Sequence, residues 1–142
     1  MKEKRNFCLR ICMTLHVLGF STPTPPQCMD ALGMESGDVP DSAITASSSY
    51  NGNSLPPIGR LHFLMAGSGK YGSWIAQTNN AYQWFQVDFG SWTKISAVAT
   101  QGRQDADQWV KTFSLSFTYD GVFFQTVNDQ NGSKKVTYQY SI

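Results

Sequence analysis

Side chains able to do acid–base or nucleophilic chemistry are few in this chain of 142 residues, and they stand apart from one another. The histidines are His16 and His62. His16 lies in an N-terminal stretch unlike the rest, which leaves His62 alone, and a Ser/His/Asp set needs a base that a third group orients. Of the three cysteines, Cys8 and Cys12 share that N-terminal stretch and Cys28 is isolated. A Cys/His metal site therefore lacks ligands. Asp88, two residues after Gln86, is an acid without a second carboxylate at an evident partner spacing. Oxygen ligation has more material. Ca²⁺ takes carboxylates and backbone carbonyls from loops, and Asp38, Asp41, Asp105 and Asp107 all fall in loop-like sequence. Asp38 and Asp41 are the candidate ligands, although no regular calcium-loop motif is present and the commoner role of such acids is solvation. The expectation is no catalytic residue and no cofactor, Ca²⁺ being the single exception kept open.

The elements that must carry these loops are strands. From Trp84 to Tyr119 three runs alternate apolar and polar residues, each ended by Gly or Asp-Gly, the mark of strands with one buried face. Phe113, Leu115, Phe117 and Tyr119 fall on one side, and Thr112, Ser114, Ser116 and Thr118 on the other. A helix would scatter the four large side chains around its circumference. Asp120-Gly121 signals a hairpin into a partner strand at 122–127, and residues 135–141 read as a last strand with Val136, Tyr138 and Tyr140 on one face. Upstream, 44–50 reads as an edge strand and 60–65 as another extended run. Asp41, after Val39-Pro40, opens a short helical turn or an Asx-turn. Loops occupy 50–59, the glycine-rich 65–73 and the polar, acidic 101–108, and the two Gly and two Pro of the first are expected to exclude regular structure. Short strands at near-regular spacing without helical period predict an all-β sandwich.

Composition agrees. Charged residues make up 15% of the chain, below the roughly 25% usual for soluble domains. Nine Phe, six Tyr and four Trp supply a sandwich core. From Cys28 onward seven Lys/Arg face nine Asp/Glu, a balance of −2, which gives no electrostatic reason to bind nucleic acid. Residues 1–27 run basic, then apolar, then small and proline-rich, the order of a secretory signal peptide. Arg10 and His16 interrupt the apolar run, and Cys12 and Thr14 dilute it. That run is about half the ~20 residues a transmembrane helix needs. The boundaries expected are a leader at 1–27 and one domain at 28–142.

Seven pieces occur in an order that resembles the discoidin, or coagulation factor V/VIII type C, domain family. They are Leu32-Gly33-Met34-Glu35-Ser36-Gly37, Ile44-Thr45-Ala46-Ser47-Ser48, Arg60-Leu61-His62, Trp74, Trp84-Phe85-Gln86-Val87-Asp88-Phe89-Gly90, Val98-Ala99-Thr100-Gln101-Gly102-Arg103, and Val110-Lys111 with Tyr119-Asp120-Gly121. The resemblance implies a jelly-roll β-sandwich of the galactose-binding-like kind, with loops projecting from one end. It implies a secreted or cell-surface module without catalysis, whose relatives bind glycans, anionic phospholipids, collagen or other matrix and receptor proteins. It places His62 on a strand, Asp88 in a core strand, and Trp74 and Trp84 in structural positions; Trp109, between a loop and a strand, stays ambiguous. Two departures follow. Cys28 occupies the family's opening cysteine position, but its expected partner is absent from this chain. Strands that the family carries after the region of 135–141 are also absent, so the chain is expected to be an incomplete sandwich with unpaired sheet edges, a template for aggregation.

The resemblance puts the ligand surface on the loops 50–59, 65–73 and 103–108. Tyr50, Leu55 and Ile58 can form an apolar tip, or Leu55 and Ile58 can fold back on the sandwich. Tyr71 can stack on a sugar face, Lys70, Arg103 and Asn51 can donate hydrogen bonds, and Asp105 and Asp107 border the site. Lipid binding favours exposed apolar tips ringed by Lys/Arg. The first loop has no Lys or Arg before Arg60 and the third adds two Asp, so anionic phospholipid is the less favoured partner. Asn131-Gly132-Ser133 is an N-glycosylation sequon. The expected function is an extracellular adhesion or recognition module, secreted or in a membrane-protein ectodomain, that binds glycan, matrix or cell-surface protein. The alternatives are a stand-alone secreted lectin, an anionic-phospholipid module, and an auxiliary binding domain of a larger enzyme.

Overall fold

A computed structural model describes residues 6–7, 10–13, 30–63, 69–95, 97–128 and 136–138. Cys28 and Asn131, and with them the disulfide and glycosylation expectations, lie outside the described residues. Among the described residues eleven short strands appear: β1 (Asn6–Phe7), β2 (Arg10–Met13), β3 (Asp30–Ala31), β4 (Ile44–Ala46), β5 (Trp74–Ile75), β6 (Phe85–Val87), β7 (Val98–Ala99), β8 (Thr112–Ser114), β9 (Ser116–Phe117), β10 (Gln125–Thr126) and β11 (Val136–Tyr138). All pair antiparallel: β1 with β5, β4 with β6, β8 with β11, β9 with β10, and β2 between β3 and β7. β1 and β2 come from the stretch that the sequence reads as a leader. Among the described residues there is no α-helix, and none of the structure is a helix long and apolar enough to cross a membrane.

The β4–β6 pair shows how sequence sets register. Ile44 faces Val87 and Ala46 faces Phe85, so apolar residues meet on one side while Thr45 and Gln86 share the other. Asp88 N–H donating to the Ala43 carbonyl (2.8 Å) and Ser47 N–H to the Trp84 carbonyl (3.0 Å) extend the ladder at both ends. Below this pair lies the core of Met34, Val39, Ile44, Trp74, Ala76 and Val110, flanked by Leu32, Phe85, Val87, Val98 and Phe113. The Trp74 indole packs tilted on Phe85 with ring centroids 5.4 Å apart. Its Nε1–H donates to the Ser48 carbonyl at 2.8 Å, which satisfies the one polar atom that burying a tryptophan must pair. Arg60 is buried as well. Its guanidinium donates to the carbonyls of Met34 (2.8 Å) and Val39 (2.7 Å) and to Asp41 Oδ1 (2.6 Å). It thereby pins the segment before β4 to the turn at 60–62.

The structure departs from the sequence reading in five places. The alternating run 110–119 is two strands, β8 and β9, broken at Leu115, whose carbonyl accepts the Val127 N–H at 2.9 Å. The partner strand expected at 122–127 shrinks to Gln125–Thr126, so Asp120-Gly121 sits in a long connection and not in a two-residue turn. The loop 50–59 contains a 3₁₀ turn, Pro56–Gly59; proline is disruptive inside a helix but tolerated in its first turn, where its missing N–H has no intrahelical partner. The edge strand expected at 44–50 ends at Ala46, and the 3₁₀ turn before it, Asp41–Ala43, has no side-chain cap. Finally, Leu61 and His62 form a turn: His62 takes φ +52°, the left-handed region, and is not on a strand.

Candidate ligand-binding site

Tyr71 is where the three predicted loops meet. Its backbone N–H donates to the Asn53 carbonyl at 3.0 Å, and its hydroxyl accepts from Asn51 Nδ2 at 3.2 Å. The guanidinium carbon of Arg103 lies over its ring, 4.6 Å from the centroid. The first loop is locked by its own side chains. Asn51 Oδ1 accepts the Asn53 N–H at 2.9 Å, an Asx-turn, and the fully buried Ser54 ties back through its hydroxyl to the Asn51 carbonyl at 3.1 Å. Lys70 Nζ donates to the Gly52 carbonyl at 3.1 Å, a second stitch between loops one and two.

The third loop is organised by Arg103. Its Nη2 donates to Asp105 Oδ2 at 2.6 Å, its Nε to Asp105 Oδ1, and its Nη1 to Gln108 Oε1 at 3.0 Å. The backbone closes the same loop, Arg103 N–H to the Gln108 carbonyl at 2.9 Å. The guanidinium hydrogen bonds hold the Asp105 carboxyl below the ordinary carboxylate range, against the opposing pull of its partial desolvation. Gln108, which completes this clamp, carried no sequence signal: a glutamine near the end of a polar loop has no pattern that marks it as a partner of Arg103.

Of the predicted residues, Asn51, Lys70, Tyr71, Arg103 and Asp105 are brought together by these bonds. Tyr50 and Leu55, each 45% exposed, supply outward apolar surface. Ile58 takes the fold-back alternative: it is buried at 5% exposure, within the 3₁₀ turn. Asp107 is exposed. One face of Tyr71 carries Arg103, so the ring is a pillar between loops more than an open platform. His62 lies elsewhere, with Nδ1 2.7 Å from Glu35 Oε1 and its backbone N–H on Gln101 Oε1 at 3.0 Å.

Both candidate calcium ligands are engaged by neighbouring side chains. Asp41 is bonded to Arg60 at 2.6 Å, and Asp38 Oδ2 accepts from the Ser36 hydroxyl at 2.5 Å. Among the described residues no three His, Cys, Asp or Glu side chains converge, whereas Ca²⁺ takes six to eight oxygens.

A sequence model of the F5/8 type C domain matches residues 43–141, a span that contains all three loops. The chain belongs to the F5/8 type C domain family. Its fold is accordingly the family's all-β sandwich, the class the strand pattern predicts. Individual relatives agree. Lactadherin of Rattus norvegicus is 38% identical over 117 residues, covering 77% of this chain and 26% of that protein. Neuropilin-1 of Homo sapiens is 33% identical over 127 residues, covering 87% of this chain and 13% of its own length. Coagulation factor VIII of Homo sapiens is 33% identical over 136 residues, 92% of this chain and 5% of that one. The F5/8 type C chain thus spans about a quarter or less of the length of these relatives.

Proposed function

We propose that this F5/8 type C domain is a non-catalytic recognition module of a larger extracellular protein, and that it reads an uncharged ligand, a glycan or a protein surface, through its three stitched loops. The observation that carries this reading is the junction at Tyr71, where loops distant in sequence are joined by hydrogen bonds and a cation–π contact. Loops held this way lose little further freedom on binding, and pre-organisation lowers the cost of association. What they present is Tyr50 and Leu55 as apolar contacts, with Asn51 and Asn53 as exposed amides. Both cations of the site are engaged, Lys70 by the Gly52 carbonyl and Arg103 by Asp105 and Gln108. Asp105 and Asp107 add negative charge beside them. That balance favours a neutral ligand over an anionic headgroup, which needs accessible Lys/Arg.

The test is to present the full chain to a glycan array, to immobilised matrix proteins, and to vesicles with and without phosphatidylserine. Retention on a glycan or protein that falls about tenfold or more in Tyr50→Ser/Leu55→Ser supports the reading. Binding confined to phosphatidylserine vesicles and abolished by salt would overturn it.

A further inference from the structure

The first loop carries the pair Asn51-Gly52. In such a pair the glycine amide nitrogen can attack the asparagine side-chain carbon and displace ammonia, because glycine has no Cβ to block the approach. A fold suppresses this reaction when it ties up the nitrogen or holds the side chain away from it. Here the participating atoms are placed for it. Asn51 and Gly52 are both exposed. Among the described residues the Gly52 N–H donates to no acceptor, so its nitrogen is free to attack. A Cβ built on Gly52 would meet nothing within 4 Å, so no neighbouring atom shuts water out.

The electrophile is held by the Asx-turn. Asn51 Oδ1 accepts the Asn53 N–H at 2.9 Å, and since a backbone N–H only donates, the amide oxygen must lie on that side. The turn closes a ring from the side chain to the backbone two residues on, and the Gly52 nitrogen is a member of that ring. The attacked carbon is therefore kept beside the peptide that attacks it, which removes part of the orientational cost. Attack puts negative charge on Oδ1, where a donor already stands. A fixed backbone N–H at a developing oxyanion is what stabilises acyl transfer.

The leaving group has a partner too. Asn51 Nδ2 donates to the Tyr71 hydroxyl at 3.2 Å. Once the carbon is tetrahedral Nδ2 carries a lone pair, and the same hydroxyl can turn its hydrogen towards it as a general acid. Lys70 Nζ, on the Gly52 carbonyl at 3.1 Å, stations a cation one peptide unit from the attacking nitrogen and offsets the charge that forms there.

We propose that Asn51 is a self-modification site, at which the stitched loops convert this asparagine to aspartate and isoaspartate in a single turnover. The Gly52 nitrogen bonds to Asn51 Cγ and loses its proton to water. The Cγ–Nδ2 bond breaks, and Nδ2 leaves as ammonia with the proton given by Tyr71, whose hydroxyl recovers one from water. Water then opens the cyclic imide at either carbonyl. The net change is amide plus water to acid plus ammonia, with nothing oxidised or reduced. The product places a carboxylate where the loop had an amide. Its isoaspartyl form also lengthens the main chain by a methylene, which draws the Gly52 carbonyl off Lys70 and the Asn53 carbonyl off the Tyr71 N–H. The chemistry is the loop's own and is independent of the ligand that the loop reads.

The experiment incubates the full chain and a synthetic peptide of residues 48–55 in the same mildly basic buffer. Asn51 is followed in both by peptide mapping with fragment-ion localisation and by isoaspartate labelling. Asn51 is expected to convert about tenfold or more faster in the folded chain than in the peptide, while Asn53 stays intact. Gly52→Ala slows chain and peptide alike. Tyr71→Phe keeps the ring and its backbone bond to Asn53 and slows the folded chain about tenfold or more. Lys70→Gln slows it several-fold with Tyr71 in place, a second reading should Tyr71→Phe loosen the loop; circular dichroism checks the fold of each variant. A folded-chain rate equal to or below that of the peptide, rates unchanged in both Tyr71→Phe and Lys70→Gln, or conversion at Asn53 in place of Asn51 would each overturn the proposal.

Discussion

The guanidinium of Arg60 meets two backbone carbonyls, those of Met34 and Val39, and one carboxylate, that of Asp41. The carboxylate side chain is 74% exposed, while that of Arg60 is 11% exposed. An exposed partner contributes little, but buried carbonyls left without donors are costly. Arg60→Met is therefore expected to lower unfolding free energy by about 2–3 kcal/mol, and Asp41→Asn by less than about 1 kcal/mol, as read by urea denaturation. A second prediction concerns Asp105, whose carboxyl is held below its ordinary range by Arg103. A depressed folded-state value means that the pair's contribution is fully present above the ordinary carboxylate range and is lost as pH falls through the depressed value. Arg103→Gln should return the Asp105 titration, followed by carbon NMR, to near the ordinary value of about 3.9; an unmoved midpoint would contradict the clamp. At this scale the sequence was partly legible. Arg103, Tyr71 and Asn51 stood out as loop residues of the right type, yet their mutual contacts depend on loop conformations that no local pattern encodes. The left-handed backbone of His62 was invisible for the same reason, since only Gly, and less often Asn or Asp, advertises positive φ in a sequence.

Elements were easier to locate than to delimit. Alternation found β6, β7, β8 and β9, because a half-buried strand must repeat every second residue. It overran their ends, because the polar residues that continue a pattern past its last ladder bond look the same as those within it. The connection from β9 to β10 illustrates what takes over. Asp120 accepts from two successive backbone amides while the Thr118 hydroxyl accepts the Gly121 N–H at 3.0 Å, and Gly121 itself sits at φ +72°. Gly121→Ala is expected to cost about 1 kcal/mol, the penalty of a Cβ in the left-handed region. Gly52→Ala, also in open space but not at positive φ, should be near neutral. Thermal melts of the two variants side by side make the comparison. The hydrogen bonds from the Phe123 and Val122 amides also hold the Asp120 carboxyl below its usual range. The turn is thus intact above that range, and the exchange protection of those two amides should fall as pH drops through the depressed value.

For the whole molecule, composition and order of motifs pointed to the all-β class and to the F5/8 type C family, and the match over residues 43–141 bears both out. Less legible was the distribution of the aromatics. Phe117 and Tyr119 share an apolar alternation with Phe113 and Leu115, yet lie 37% and 65% exposed, because alternation reports a shared face and not what lies against that face. The β9–β10 hairpin bears on the order in which the chain folds. β9 and β10 are joined by the single connection 118–124, whereas β4 must find β6 across two loops and β1 must find β5 across most of the first half of the chain. Local pairings form in microseconds, and non-local ones wait on loop closure. The first ordered piece of a refolding chain is then the one with the stickiest surface, formed while the ligand loops are still apart. Refolding yield is accordingly set by encounters between hairpins, and should fall steeply as chain concentration rises.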